Sequence, residues 1–237
     1  MIDFSVITAT YNMEQTVAAC LASVQKNKLD HTEHIVVDGL SSDRTIDIVR
    51  QYPDVDYISE KDRGVYDAMN KGIRRSHNEI LSFLNADDYY LDGVLEIVRK
   101  TFETHPESDI VHGNILVNGR ICKPAKWIAS FGGTRIFHPA AFIRRSLFEK
   151  LGMYDEKYRI CADLDFFFRA KEAGAVFTHI DQPLTVFALD GLSTTERSQT
   201  ASEVRDVLMS HGYSALFSHS YCAAMKLRGV LSFLKCR

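Results

Sequence analysis

The stretch ILSFLNADD, at positions 80–88, decides how this chain folds. Its apolar run, residues 80–84, predicts a buried strand, and its last two residues, Asp87 and Asp88, place adjacent carboxylates just beyond that strand. An unpaired buried charge is costly, so such a pair needs a cation, hydrogen-bond donors or water. A divalent metal holding a nucleotide diphosphate would meet this need, with one carboxylate on the metal and the other on a ribose. Taken alone, the pair fits a solvated turn better.

The residues before this stretch alternate between strand-like and helix-like segments. Hydrophobic spacing predicts strands at residues 3–8, 34–37, 56–59 and 80–84, and helices at residues 14–26, 42–52 and 66–75. The second helix has a capping candidate in Asp43. Strands that alternate with helices imply an α/β fold, with a Rossmann-like, mainly parallel central sheet flanked by helices.

Each predicted strand ends in polar residues, at 8–12, 38–39, 62–64 and 87–88. Ligands of open parallel sheets bind beyond the carboxyl ends of the strands, so four polar loops at one edge predict a ligand site. The third loop is equally well explained as an ordinary surface turn. The chain has no glycine-rich dinucleotide fingerprint and no phosphate-binding loop motif, so acidic and amide side chains must hold any nucleotide.

Composition sets broad limits on function. The chain has 237 residues, 46% of them hydrophobic, which is enough for one sizeable domain with a C-terminal appendage. A net charge of -3 gives no overall attraction to nucleic acid, so we expect no nucleic-acid partner. The five cysteines form no metal-binding spacing and favour a reducing cytoplasm. We expect neither a signal peptide nor a membrane-spanning segment.

Five segments in order carry a family resemblance: SVITATYN at 5–12, VVDGLSSDRT at 36–45, SEKDRGVYDAMNKGI at 59–73, FLNADD at 83–88 and YRICADLDFFFR at 158–169. Together they resemble the family 2 glycosyltransferases with the GT-A fold, over roughly residues 3 to 190. The resemblance is closest to bacterial enzymes of capsule, exopolysaccharide or lipopolysaccharide synthesis. It implies a GT-A domain at residues 1–215, with a nucleotide-sugar-binding half at 1–100 and an acceptor-binding half at 101–215.

The implied reaction transfers a sugar from a nucleotide diphosphate sugar to an acceptor hydroxyl, with inversion. By the resemblance, Asp88 binds the metal, Mn²⁺ or Mg²⁺, and Asp87 faces the ribose. Asp163 matches the catalytic base, although the usual Glu-Asp is Ala-Asp here. The competing interpretation is that Asp163 caps a helix beginning around Leu164. Asp165 is predicted to be structural, paired with the arginine four residues on.

The resemblance also implies a donor site and one further contact. The donor-binding candidates are Ala9, Thr10, Tyr11, Asn12, Asp38, Asp62, Lys71 and Asp87. Lys71 is equally typical of a solvated helix face, and Arg63 is a second candidate for the diphosphate because Met69 replaces an arginine common in relatives. His138 contacts either the acceptor or the diphosphate, or is a hydrogen-bonded structural residue.

The C-terminal segment, residues 216–237, is basic and amphipathic toward its end. It is typical of a helix at a membrane surface, which would suit a lipid-linked glycan acceptor and a peripheral position on the inner face of the cell membrane. Alternatively, it docks on the domain. The functional alternative to an enzyme is a non-catalytic nucleotide-sugar-binding partner subunit. A sugar-nucleotide pyrophosphorylase is disfavoured because the first loop lacks a glycine-rich sequence with activating basic residues.

Overall fold

A computed structural model of the chain describes residues 2–124, 126–128, 133–134, 136–189 and 195–228. The strands are β1 Phe4–Thr10, β2 Glu33–Asp38, β3 Val55–Ser59, β4 Ile80–Phe83, β5 Tyr89–Tyr90, β6 Ile110–Val117, β7 Arg120–Cys122, β8 Lys126–Ile128, β9 Gly133–Thr134, β10 Ala141–Arg144 and β11 Phe177–Val186. The helices are α1 Val17–Asn27, α2 Thr45–Val49, α3 Val65–Arg75, α4 Val94–Thr104, α5 Arg145–Leu151, α6 Ala162–Glu172, α7 Arg197–Ser210 and α8 Ala215–Arg228. A short 3-10 helix spans His138–Ala140.

One large sheet runs through the described part of the chain. Its strand order is β3-β2-β1-β4-β10-β6-β11-β5, with β7 paired to β6. The strands β1, β2, β3, β4, β6 and β11 are parallel to one another, and β5, β7 and β10 run against them. Strands β8 and β9 form a separate antiparallel pair. The predicted α/β fold with a mainly parallel sheet is confirmed.

Apolar side chains cover both faces of this sheet. One face packs on α3, α5, α6, α7 and α8, around large buried residues such as Phe83 and Phe166. The other face packs on α1 and α4, around Phe4 and Phe142. The strands of a parallel sheet carry apolar side chains on both faces, so helices must cover both faces.

Two helices are shorter than their predicted spans. The helix predicted from residue 14 begins at Val17, after a turn in which the amide of Thr16 donates to the carbonyl of Met13. The helix predicted over 42–52 spans only Thr45–Val49. Asp43 is not the N-cap residue of this helix. The Asp43 carboxylate instead accepts hydrogen bonds from the amides of Thr45 at 2.9 Å and Glu14 at 3.1 Å, which joins the loops that follow β1 and β2.

The C-terminal helix α8 docks on the domain, with Cys222 and Met225 buried in the main core. Docking was one of the two interpretations of the 216–237 segment. Residues 229–237, which carry half of its basic side chains, lie outside the described residues. Among the helices of the described ranges, none is both long and apolar enough to cross a membrane.

Candidate active site

The carboxyl ends of β1, β2 and β3 meet through hydrogen bonds of Asp38, as the sequence predicts. Thr10 at the end of β1 pairs in register with Asp38 at the end of β2. The buried carboxylate of Asp38 accepts from the hydroxyl of Ser59 at 2.6 Å, and from the amide of Ser41 at 2.9 Å and its hydroxyl. Because these donors satisfy the charge, Asp38 fixes the loop after β2 against the end of β3.

A shallow cradle forms where the first three loops meet. Tyr11 is 58% exposed, so its ring is available to a ligand. A Cβ atom added at Gly39 would clash with the carboxylate of Asp62 and would lie 3.4 Å from the Tyr11 ring. Burial raises the pKa of Asp62, and its other oxygen accepts from the amide of Gly64 at 3.0 Å. The absence of a side chain at Gly39 therefore lets the Asp62 carboxylate and the Tyr11 ring pack closely against the loop after β2.

The other residues predicted for this cradle differ in exposure. Ala9 and Thr10 are buried at the end of β1, so they can offer a ligand mainly backbone groups. Asn12 has a positive φ of 52° and is exposed. Its side-chain oxygen accepts from the amide of Ser42 at 2.9 Å, which ties the first loop to the second. The structure thus brings together residues 9–12 and Asp38, which the sequence indicated for one site.

Asp88 is a buried carboxylate with one unused oxygen. The residue is 1% exposed, and its Oδ1 accepts from the amide of Ala188 at 2.9 Å. Its Oδ2 is buried and has no hydrogen-bond partner among the described residues. Burial, together with the charge of the half-buried Asp87, raises the pKa of Asp88 well above its usual range. Such a group is stabilised by a cation placed at Oδ2.

The donor set fits a hard divalent ion shared with a substrate. Within the described ranges, no cluster of three or more histidine, cysteine or carboxylate side chains forms a complete metal cage. Mg²⁺ and related ions are commonly held by one or two carboxylates together with substrate phosphates and water. Asp88 can supply such a protein ligand. The oxygen-only chemistry excludes a structural zinc site of cysteines and histidines at this position.

Asp163 lies in the first turn of α6 and contacts the other half of the domain. The helix begins at Ala162 with Cys161 as its N-cap residue, so the interpretation of Asp163 as the cap is wrong. The hydroxyl of Tyr66 lies 2.8 Å from Asp163 Oδ1 and 2.9 Å from the carbonyl oxygen of Ile160. Burial and the charge of Asp163 raise the pKa of Tyr66, which keeps its hydroxyl protonated as a donor.

The pairing predicted for Asp165 is confirmed. Its Oδ2 accepts from Arg169 Nε at 2.8 Å, one helical turn on. Its Oδ1 lies 3.1 Å from Nε2 of His211, which follows α7. Asp163 and Asp165 therefore have different contacts. Asp163 is half-buried and contacts Tyr66, whereas Asp165 connects α6 to the residue that follows α7.

His138 is buried among aromatic rings, close enough to Asp163 to be affected by its charge. Its imidazole stacks on Phe83 with ring centroids 5.2 Å apart, and its Nε2 lies 2.8 Å from the hydroxyl of Tyr154. Burial lowers the pKa of His138, and the charge of Asp163 opposes this shift. The imidazole is therefore neutral at neutral pH, and hydrogen-bonded as the structural interpretation predicts.

Lys71 and Arg63, the two basic candidates for binding the diphosphate, form ion pairs with acidic side chains. Lys71 Nζ lies 2.9 Å from a carboxylate oxygen of Glu60, and Arg63 bridges Asp67 at 3.3 Å and Glu156 at 2.5 Å. Arg63 has a side chain that is 76% exposed, so its guanidinium is accessible to a phosphate. The prediction that either residue contacts the diphosphate requires an exchange of these partners.

Sequence reasoning missed several contacts of the site. Tyr66 and Tyr154 were not assigned, although Tyr66 lies in a quoted motif segment, which was the available signal. The amide of Ala188 reaches Asp88 from 100 residues away, after β11. No local pattern indicates such a contact.

Comparisons with known proteins show the family to which this chain is similar. The sequence profile described as "Glycosyl transferase family 2" matches residues 5–161. A protein of Mycobacterium bovis (strain BCG / Pasteur 1173P2) named "PGL/p-HBAD biosynthesis glycosyltransferase" is 34% identical over 187 residues, which cover 74% of this chain and 72% of that protein.

Solved structures share the GT-A fold. Residues 1–349 of TarS from S. aureus, solved in complex with UDP-GlcNAc, superpose with a TM-score of 0.71 at 20% identity, covering 98% of this chain and 73% of that one. The chain spans 44% of the longer TarS structure. The mannosyltransferase PcManGT from Pyrobaculum calidifontis, in complex with GDP-Man and Mn²⁺, gives a TM-score of 0.71 at 20% identity, covering 97% and 76% of the two chains.

Proposed function

The chain belongs to glycosyl transferase family 2, and from this premise we propose that it is an inverting, metal-dependent glycosyltransferase. In this proposal the donor is a nucleotide diphosphate sugar, specifically a UDP-sugar. The acceptor is a glycan hydroxyl in the synthesis of a bacterial surface polysaccharide. The nucleotide sugars in the TarS and PcManGT structures, and Mn²⁺ in the latter, support the class of donor and cofactor.

The observation that carries the proposal is the unused oxygen of Asp88. A carboxylate that is 1% exposed and next to a second acid destabilises the protein while its Oδ2 has no partner among the described residues. Natural proteins keep such groups where function needs them. A divalent ion at Asp88 would neutralise the charge that the diphosphate gains as it leaves the sugar.

The first three loops of the chain hold the nucleotide in this mechanism. The Tyr11 ring stacks on the base, Asp62 accepts a hydrogen bond at the edge of the base, and Asp38 exchanges one of its hydrogen bonds from Ser41 for one from the base. Asp87, half-buried beside Asp88, accepts hydrogen bonds from the ribose. Lys71 and Arg63 exchange their acidic partners for the diphosphate. These contacts fix the donor at the carboxyl edge of the sheet, the usual ligand site of this architecture.

Asp163 acts as the general base that removes the proton of the acceptor hydroxyl. The Tyr66 hydroxyl orients its carboxylate through the 2.8 Å contact and leaves the second oxygen, Oδ2, for the acceptor. Attack by the acceptor oxygen on the anomeric carbon forms one bond as the bond to the diphosphate breaks, which inverts the anomeric centre. His138, neutral and buried, supports the acceptor side of the site from below.

We place the enzyme in the cytoplasm, peripheral to the inner face of the membrane, with a lipid-linked acceptor. The support is the sequence from Tyr221 to Arg237, which contains four basic residues and no acid. Basic residues near an anionic membrane surface contribute about 1 kcal/mol each to binding. The competing function is a non-catalytic partner subunit that binds the nucleotide sugar, which turnover would exclude.

The test is calorimetric titration of UDP, GDP and dTDP into the wild-type protein, Asp88→Asn and Asp163→Asn, each with and without Mn²⁺. We expect one nucleotide to bind with Mn²⁺, Asp88→Asn to lose the metal dependence, and Asp163→Asn to keep it. Asp92→Asn is the control, because the Asp92 side chain is 74% exposed and pairs with Lys26 at the surface.

Turnover then separates the enzyme from the partner subunit. Nucleoside diphosphate release from the matching nucleotide sugar is expected in the wild-type protein, and at least about 100-fold more slowly in Asp163→Asn, as is typical for loss of a general base. If no nucleotide binds under any condition, the proposed function is wrong. Binding without any release, with water or glycan acceptors, would favour the non-catalytic subunit.

A further inference from the structure

The helix that carries Asp163 begins without a cap of its own. Cys161, the N-cap residue of α6, makes no side-chain capping hydrogen bond. Amides at the start of a helix have no partner within the helix, and a buried amide without a partner is costly. Side chains from another element must therefore satisfy the amides in front of α6.

Glu203 of α7 supplies those contacts. The residue is 9% exposed, and its Oε2 accepts from the amide of Ile160 at 2.7 Å and from the amide of Cys161 at 3.0 Å. Its Oε1 accepts from the Gln199 side-chain amide at 3.0 Å, one turn earlier on the same helix. The carboxylate is thus held at three points, and its negative charge lies at the positive end of the α6 dipole.

Ile160 connects this carboxylate to the catalytic candidate. Its amide donates to Glu203, and its carbonyl oxygen lies 2.9 Å from the Tyr66 hydroxyl, which also contacts Asp163. The short segment that leads into α6 is therefore hydrogen-bonded both to Glu203 and to Tyr66. Removal of Glu203 would free the start of the helix and with it the direction of the Asp163 carboxylate.

We infer that Glu203 is a positioning residue for Asp163, acting through the amides of Ile160 and Cys161. This inference rests on the proposed role of Asp163 as the base. Glu203 lies outside the matched residues 5–161 of the family profile, so it belongs to the part of this chain that the family comparison does not describe. Helix α7 then helps to position the proposed base.

The variants Glu203→Ala, Glu203→Gln and Glu203→Asp separate positioning from folding. In Glu203→Gln the amide oxygen still accepts from both backbone amides, and Gln199 can turn its own amide to match. Glu203→Asp keeps the charge but shortens the reach by one methylene. Asp206→Ala is the control on the same helix, because Asp206 is half exposed and pairs with its neighbour Arg205.

Kinetics on the matching nucleotide sugar give the first readout. We expect Glu203→Ala to lower kcat about 100-fold, as is typical of small misplacements of a catalytic group, while KM for the donor stays within about twofold. Glu203→Asp should behave similarly, Glu203→Gln should recover most of kcat, and Asp206→Ala should match the wild-type protein. A folded Glu203→Ala variant with unchanged kcat, or with a raised KM alone, would overturn the inference.

Crystal structures of the same variants give a readout that does not depend on turnover. In Glu203→Ala, Asp163 Oδ1 should move out of hydrogen-bond distance from the Tyr66 hydroxyl, whereas in Glu203→Gln the 2.8 Å contact should persist. If the contact persists in Glu203→Ala, the positioning role is wrong even when the protein is an enzyme. If the contact is lost but the wild-type protein shows no turnover, the proposed function fails and the structural link stands. Should Glu203→Ala not fold, Glu203→Asp carries both readouts.

Discussion

Gly39 offers the sharpest test of the nucleotide cradle. It stands between the Tyr11 ring and the Asp62 carboxylate, and an added Cβ would lie 3.2 Å from the Asp62 Cγ and closer still to one of its oxygens. Its backbone conformation is open to any residue, because its φ is not in the left-handed region. Gly39→Ala therefore leaves the main chain in place and displaces the Asp62 side chain.

The expected cost follows from the contacts that Asp62 loses. Displacement breaks its hydrogen bond with the amide of Gly64, at 3.0 Å, which is worth about 0.5–1.5 kcal/mol, and a strained rotamer adds a similar amount. A loss of about 1–3 kcal/mol lowers Tm by roughly 2–12 °C in a protein of this size. Loss of the proposed contact between Asp62 and the nucleotide should weaken binding by about tenfold to hundredfold.

Calorimetry of UDP with Mn²⁺ and thermal unfolding measure the two effects. Gly119→Ala is a matched control, because Gly119 has a φ of +74° in an open turn, where alanine costs roughly 1–2 kcal/mol of stability. That turn follows β6, four strands and about 19 Å from β2 across the sheet. Gly119→Ala should lose a similar Tm and keep its affinity. Equal affinities for Gly39→Ala and the wild-type protein would refute this reasoning.

Two contacts outside the cradle give further predictions. Burial lowers the pKa of His211, but hydrogen bonds with Asp165 and Glu172 outweigh it and raise the pKa overall. The contacts of His211 with Asp165 and Glu172 therefore stabilise the protein fully below about pH 6.5. This stabilisation is lost as the pH rises through the raised pKa of His211. Thermal unfolding from pH 5.5 to 9 should show this decline in the wild-type protein and a flatter profile in His211→Gln; parallel profiles would contradict it. The side chain of Asn70 accepts a hydrogen bond from the amide of Tyr154 at 3.0 Å and donates one to the carbonyl oxygen of Tyr154 at 2.9 Å. Asn70→Ala should lower the free energy of unfolding by about 2–4 kcal/mol in urea titrations, and a loss under about 1 kcal/mol would show that water replaces these bonds.

The sequence located the carboxyl edge of the sheet correctly because its signals are local. Alternating apolar periods place β1 to β4 to within a few residues, and each strand is followed by polar residues where it ends. Parallel strands bring those ends together by topology alone. The position of Asp38 beside the end of β1 therefore followed from the sequence, whereas the loop of Asp62 was equally well explained as a surface turn.

The sequence was less informative about the second half of the chain. Strand β10 inserts between β4 and β6 and runs against both, and β11 lies beyond β6. Strand order depends on which apolar faces pack together over long separations, and single-strand patterns do not encode it. Residues 1–100 were therefore predicted in more detail than the second half of the chain, which carries Asp163.

What the sequence determined by itself is the set of chemical groups: the α/β alternation, the carboxylates at the strand ends and the acid in front of an aromatic helix. What only the tertiary structure decided is how each of these groups is satisfied. Asp88 obtains its donor from a residue 100 positions away, and Asp163 obtains its donor from one 97 positions away. The physical reason is that a buried polar group requires a partner, but any donor that folding brings near can serve. The requirement is therefore visible in the chain, and the partner becomes visible only after the chain has folded.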